Sequence, residues 1–326
     1  MNILVTGGAG YIGSHLVKQL GEQTKYHITV LDNLVTGFED SLLYGKFINA
    51  DLSDYERIDE IFSENSFDVV IHFAASLVVP ESVTNPLKYY LNNTANTTNL
   101  IQVCVKHNVN KFIFSSTAAI YGEQDADNIT VTEESSTGPL NPYGTSKFMS
   151  EMVLKDASNA YKDFNYIALR YFNVAGASVD GKIGQSTKNA TVLVKVAAEC
   201  AAGKRDKMYI FGEDYPTDDG TCIRDYIHVE DLASAHIEAL DYLESSNESN
   251  LFNCGYGRGY SVKEVIDMMK KVSGNDFEVQ MQGRREGDPS ALIADCTKIK
   301  SMTNWSPKYD DLELICKTAY EWEKKI

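Results

Sequence analysis

The first strand of this chain runs directly into a glycine loop, and that junction restricts the fold more than any other stretch. Residues 2–6 are a short apolar run, Gly7-Gly8-Ala9-Gly10-Tyr11-Ile12-Gly13 follows, and residues 14–20 carry apolar side chains at helical spacing. In the pattern Gly7-x-x-Gly10-x-x-Gly13 the first glycine allows a tight turn and the second lets the backbone approach a pyrophosphate. The third lets helix and strand pack closely, with the anion at the helix N-terminus. A second strand, residues 27–31, ends at Asp32, near the offset of roughly 20 residues at which an acid takes an adenosine ribose diol. A carboxylate there repels a 2′-phosphate, and the neighbouring Asn33 and Leu34 bring no arginine. The pattern therefore points to NAD rather than NADP, with Asp32 as a plain turn residue the alternative.

Further strands are expected at residues 47–50, 69–73 and 112–115, separated by helical patterns at 55–63 and 88–107. Such alternation predicts an α/β fold with a doubly wound parallel sheet. Asp51 and Leu52 follow the third strand, where a carboxylate can accept from an adenine amino group. Phe73-Ala74-Ala75 follows the fourth, where small residues let a dinucleotide lie against the strand ends. Ordinary turn chemistry explains either position equally. From Phe172 onward regularity falls, with a helix expected at 190–202, a strand at 207–211, a loop at 212–222 and an amphipathic helix at 310–320. We divide the chain into a dinucleotide-binding domain, 1–172, to which later segments return, and a smaller α/β substrate-binding domain, mainly 173–326.

Composition excludes several partners. Of 326 residues, 43% are hydrophobic and 23% charged, a globular balance, and the net charge of −16 argues against nucleic acid or an anionic membrane. Six cysteines are spread singly, without zinc or disulfide spacing, so we expect reduced, buried thiols and no metal site. No basic n-region opens the sequence and no apolar run reaches about 18 residues. A cytoplasmic protein is expected.

The chemistry centres on Asn141-Pro142-Tyr143-Gly144-Thr145-Ser146-Lys147. If Pro142 opens a helix, Tyr143 and Lys147 lie on one face of it. A phenol is a poor base at neutral pH, but a nearby ammonium stabilises the phenolate and lowers its pKa. Taken alone, the pair reads as an exposed polar contact. The fifth strand ends in Ser115-Ser116-Thr117, which delivers a hydroxyl to the same crevice, and hydroxyl, phenol and ammonium beside a dinucleotide suit hydride transfer.

Residues 7–13, Asp32, 73–75, 115–122 and 141–147 together resemble an extended short-chain dehydrogenase/reductase. Residues 169–173, 210–220, 224–229 and 284–288 narrow the resemblance to the UDP-glucose 4-epimerase family, the UDP-hexose 4-epimerases, over nearly the whole chain. The resemblance implies a Rossmann-type sheet, bound NAD, a UDP-sugar substrate and a homodimer formed through the helices at 88–107 and 143–160. It implies that Tyr143 takes the proton of the sugar's 4-hydroxyl, that Lys147 holds the phenolate and a ribose hydroxyl, and that Thr117 bonds the same sugar oxygen. Hydride would leave C4 and return to the opposite face of a 4-keto sugar. Tyr11, Ile12, Asn33, Asn92 and Phe172 join the glycines, Asp32, Asp51, Leu52, Phe73, Ala74 and Ala75 as implied cofactor contacts. Asn173, Phe211, Arg224, Arg285, Asp288 and Leu292 would line the UDP-sugar pocket, with the two arginines on the diphosphate. His228 reads as a structural histidine.

Two departures bear on specificity. Leu77 stands where some relatives carry a lysine that touches the dinucleotide. Leu292 stands where strict UDP-glucose/UDP-galactose epimerases often carry a tyrosine, which implies room for a 2-acetamido group. Rival readings remain a nucleotide-sugar 4,6-dehydratase, a net dehydrogenase and a regulatory nucleotide-binding module. The first needs an Asp-Glu pair where this chain has Ala118-Ala119.

Overall fold

Alternation along the first strand sets two cores in place. Ile3 and Val5 bury to one side and Leu4 to the other, as the two-residue period of a strand requires. The computed structural model describes residues 1–124, 129–285 and 288–326. The chain begins with β1 (Asn2–Thr6), α1 (Tyr11–Gly21), β2 (His27–Asp32), β3 (Lys46–Asn49), α2 (Tyr55–Glu64) and β4 (Val69–His72). Short helices α3 (Val79–Thr84) and α4 (Pro86–Tyr89) follow, then α5 (Asn96–Lys106), β5 (Lys111–Ser115), β6 (Thr130–Val131), α6 (Pro142–Ala160) and β7 (Asn165–Tyr171).

Five of these strands, with β7 and a later strand, form a seven-stranded sheet. The remaining elements are β8 (Asn173–Ala175), α7 (Leu193–Ala201), β9 (Lys207–Phe211), β10 (Ile223–His228), α8 (Val229–Ser246) and β11 (Asn250–Cys254). They continue with β12 (Gly259–Ser261), α9 (Val262–Ser273), β13 (Glu278–Gln282), β14 (Ala291–Ala294), α10 (Thr297–Met302) and α11 (Leu312–Glu323). The large sheet has the order β11-β7-β5-β4-β1-β2-β3, and every pair in it is parallel. Helices α1 and α8 cover one face; α2, α5 and α6 cover the other. Strand order reverses between β1 and β4, which opens the crevice at the carboxyl ends where such sheets take ligands.

A second sheet orders β12-β10-β14-β6, with β8 also pairing β10, and β9 pairs β13 in parallel nearby. It starts where the first ends, because β8 begins two residues after β7. Helices α7, α9 and α11 pack together beneath it. All six cysteines are free and buried. Among the described residues no helix is long and apolar enough to cross a membrane.

Two expectations needed adjustment. The helical stretch expected at 88–107 is broken by a π-helical turn over Tyr90–Ala95. Within it the Asn93 side chain accepts from Ser76 N at 2.7 Å and donates to Ser146 Oγ at 3.0 Å, tying the turn to the loop after β4 and to α6. Helix α7 starts at Leu193, a turn of sequence later than expected.

The crossing of α1 over β1 depends on Gly13, where a Cβ would lie 2.4 Å from Gly7 O and 2.8 Å from Gly8 Cα. Gly13→Ala is therefore expected to lower stability by about 1–3 kcal/mol, as overpacking does. Denaturant unfolding at an unchanged midpoint would show that the crossing has slack.

Candidate active site

Helix α6 brings the expected chemistry together. Asn141 caps it, its Oδ1 accepting from Gly144 N at 3.0 Å, and Pro142 occupies the first turn. Gly144 lets the helix approach the loop after β5, since a Cβ there would sit 2.7 Å from Ala119 O. Tyr143 and Lys147 are consequently buried, not an exposed polar pair. Thr117, extended two residues past β5 and buried, accepts from Ala119 N at 3.2 Å, and its hydroxyl lies near enough to Tyr143 to favour the phenolate. Lys147 Nζ donates to Ser115 O at 2.9 Å and lies 4.8 Å from the centre of the Phe114 ring.

Burial decides the ionisation of both groups. It pushes the Tyr143 phenol above its ordinary value, with the Thr117 hydrogen bond pulling the other way. It pushes Lys147 down to about 7, although Glu151 favours the ammonium. The expected lowering of the phenol by the lysine is not what the chain shows: burial raises the phenol, and Lys147 spends its hydrogen bond on the Ser115 carbonyl. Tyr89 stands edge-on to Tyr143 with ring centres 6.5 Å apart, its own hydroxyl held by Val78 O and Glu81.

The glycine loop meets the requirements of a dinucleotide. Gly7 has φ +70°, and a Cβ on it would fall 2.5 Å from Ala74 N, so loop and β4 end touch through backbone alone. Gly10 caps α1 without a side chain, and the first turn carries no acid. The leading N–H groups of Tyr11, Ile12 and Gly13 are then available to an anion. Asp32 is buried at the end of β2, its oxygens accepting from Ala9 N at 3.0 Å and Leu34 N at 2.9 Å, and burial pushes its pKa up. Asn33 Nδ2 donates to Asp51 Oδ2 at 2.7 Å, so these two come together beyond β2 and β3. Leu52 and Phe73 are buried, Ala74 and Ala75 partly open. Asn92 donates to Ser76 Oγ at 2.9 Å on the π-helical turn. Phe172 is buried just past β7. These residues fit NAD.

Of the residues expected to bind substrate, Asn173, Arg224 and Leu292 stand on the second sheet, and Phe211 stands on β9 of the two-stranded sheet. Asn173 opens β8 and is exposed; β8 pairs with β10, on which Arg224 stands opposite Leu292 of β14. The Arg224 guanidinium donates to Ile223 O at 2.8 Å and lies 3.9 Å from Asp288. Arg285 stacks on Phe211, its guanidinium carbon 3.7 Å from the ring centre. Its neighbour Arg284 is held instead by Asp214 at 2.7 Å and by the Tyr215 face. Glu286 and Gly287 of the 284–288 motif lie outside the described residues. Leu292 is 6% exposed and belongs to the hydrophobic core cluster. Leu77 is exposed. His228 is structural: buried, its ring caps α8 by accepting from Glu230 N at 3.2 Å.

Sequence reasoning missed Glu151, Arg170 and Ser116. They form a buried ion pair and hydroxyl contact directly behind Lys147. Glu151 stands four residues beyond Lys147, on the face already carrying Tyr143, and that spacing was the available signal.

The model of the NAD dependent epimerase/dehydratase family matches residues 3–255. The UDP-glucose 4-epimerase of Azospirillum brasilense is 45% identical over 325 residues, which cover 99% of this chain and 92% of that protein. The solved UDP-Glc/GlcNAc 4-epimerase of Campylobacter jejuni is 58% identical with a TM-score of 0.87, covering 100% of this chain and 99% of that one. The UDP-glucose 4-epimerase of Brucella ovis, solved with NAD, is 41% identical with a TM-score of 0.94, covering 99% and 98%. With the glycine loop, Asp32 and the Tyr143–Lys147 helix all in position, the chain belongs to the NAD dependent epimerase/dehydratase family.

Proposed function

We propose that the protein is an NAD-dependent UDP-hexose 4-epimerase that interconverts UDP-glucose and UDP-galactose, and also UDP-N-acetylglucosamine and UDP-N-acetylgalactosamine. The single observation that carries the reading is full-length similarity to UDP-glucose 4-epimerases, at 45% identity in the Azospirillum relative. Support for the N-acetylated pair comes from the UDP-Glc/GlcNAc 4-epimerase that is 58% identical, and from leucine at position 292.

Bound NAD supplies a hydride acceptor and, when oxidised, a positive charge that favours phenolate over phenol. Tyr143 removes the proton of the 4-hydroxyl and later returns it. Thr117 bonds the same oxygen and lowers the cost of holding charge on the phenol. Lys147, with its pKa near neutrality, keeps a cation beside that charge where water is excluded. Arg224 and Arg285 hold the diphosphate, with Asn173 on a phosphate oxygen and Asp288 on the uridine ribose. Fixing both ends of the substrate supplies the proximity term. Residues 1–172 carry the cofactor and mainly 173–326 the sugar nucleotide.

Ala118 and Ala119 start the turn after Thr117 and offer no acid or base, which favours epimerisation over the water elimination of a 4,6-dehydratase. A second copy of the chain is the proposed partner, through α4, the π-helical turn and α6, where Leu87, Leu91 and Met152 are exposed. Free cysteines suit a cytoplasmic location.

Incubation of purified protein with UDP-galactose, without added NAD, is expected to yield UDP-glucose; a 4-keto-6-deoxy product would move the protein to the dehydratases. Tyr143→Phe is expected to lower kcat by roughly 10²–10⁴-fold, and wild-type turnover by that variant would remove the phenol from the mechanism. Leu292→Tyr is expected to reduce kcat/KM for UDP-N-acetylgalactosamine by roughly tenfold or more while sparing UDP-galactose. Equal retention of both activities would show that position 292 does not gate the pocket.

A further inference from the structure

We infer that Glu151 is a positioning residue: with Arg170 and Ser116 it locks the end of β5 against α6, so that Thr117 faces Tyr143 and the Ser115 carbonyl faces Lys147. Its catalytic consequence rests on the epimerase reading above.

Tyr143, Lys147 and Glu151 recur every four residues along α6 and therefore share one side of the helix. Three consecutive residues, starting with the last of β5, each meet one of them. Ser115 O accepts from Lys147 Nζ at 2.9 Å, the Ser116 hydroxyl donates to Glu151 Oε1, and the Thr117 hydroxyl lies near enough to Tyr143 to favour the phenolate. Arg170 then fixes the carboxylate from β7, donating from Nε to Oε1 at 3.0 Å and from NH2 to Oε2 at 2.6 Å. Both side chains are at most 5% exposed. Arg170 NH1 also donates to the Tyr121 hydroxyl at 3.2 Å, and that hydroxyl donates to Asn253 Oδ1 at 2.6 Å. The helix that carries the base is thus pinned to β5, β7 and β11 through one carboxylate.

A buried ion pair is weak evidence for stability, since apolar replacements of similar volume often fold as well. Its place points elsewhere. Among the described residues the groups that face Lys147 are Glu151 from its own helix, His72 from β4, and the Ser115 carbonyl and Phe114 ring from β5. Among the described residues Glu151 is the carboxylate that favours the ammonium there. A Ser116 slip would move Ser115 O and Thr117 together, because they are its chain neighbours.

The test compares holoenzyme with Ser116→Ala and with the apolar swap Glu151→Met/Arg170→Met. Readouts are kcat and KM for UDP-galactose, the pH profile of kcat, and ultraviolet difference titration of Tyr143 against each protein's Tyr143→Phe counterpart. We expect kcat to fall roughly 10–100-fold, as small misplacements do, with KM little changed. The alkaline limb of kcat should move to lower pH in the swap, because an ammonium that loses its carboxylate deprotonates earlier, and the phenol should titrate higher. A folded swap with wild-type kcat and an unmoved Tyr143 titration would reduce the pair to a structural role. If the swap does not fold, Ser116→Ala decides alone, and wild-type kcat and pH profile in it would overturn the inference. If wild-type protein fails to convert UDP-galactose, the epimerase reading falls, whereas the Tyr143 titration needs no turnover and still decides whether Glu151 positions the pair.

Discussion

Taking the Lys147 ammonium out of water is the step on which the site depends. A buried cation is costly unless it is paired, and here the charged form is supported by one backbone carbonyl, the face of Phe114 and a carboxylate one turn away. The consequence is an amine pushed down to about 7, poised where a small change in neighbouring charge alters its protonation. Holding it there requires α6 to lie hard against the β5 loop. The Asn141 cap, Pro142 and the missing side chain at Gly144 make that approach possible, and the Glu151–Arg170 pair keeps the helix from sliding. The chemistry of two residues is thus set by the docking of a whole helix.

An acidic chain must also attract anions, and it does so locally. At the cofactor end the work falls to backbone: an uncapped helix start with no acid in its first turn, reached through glycines that a Cβ would block. At the proposed substrate end two arginines, Arg224 and Arg285, are only loosely held. Arg224 makes a long ion pair with Asp288, 3.9 Å apart, and Arg285 lies flat on Phe211. Arg284 is tied more closely to an acid, Asp214, at 2.7 Å. Net charge therefore says little about a site built from a few oriented donors.

Much of this was legible in the residues. Gly7, Gly10, Gly13, Asp32 and the Tyr143–Lys147 spacing are local patterns, and local patterns report helix faces and turns directly. A doubly wound sheet and the return of later segments to it were expected, but not the full strand order or that the returning strand is β11, because which strands neighbour one another is decided by packing across residues far apart in sequence. The π-helical turn at Tyr90–Ala95 depends on Asn93 reaching Ser76 and Ser146, again a tertiary event. The direction of the Tyr143 shift was misjudged because spacing reveals a cation within reach but not the water lost around both groups. Glu151 escaped notice for a related reason: on a helix surface it is one more acid, and only the arrival of Arg170 from β7 makes it part of the site.

The central claim is that one site removes the hydrogen at C4 and returns it to the same carbon without releasing it. UDP-galactose carrying deuterium at C4, converted in ordinary water and read by mass spectrometry and NMR of the product, tests this most directly. The account predicts UDP-glucose with its deuterium still at C4. Loss of the label to solvent would contradict it, and would require proton chemistry at carbon that Tyr143, Lys147 and Thr117 were not arranged to perform.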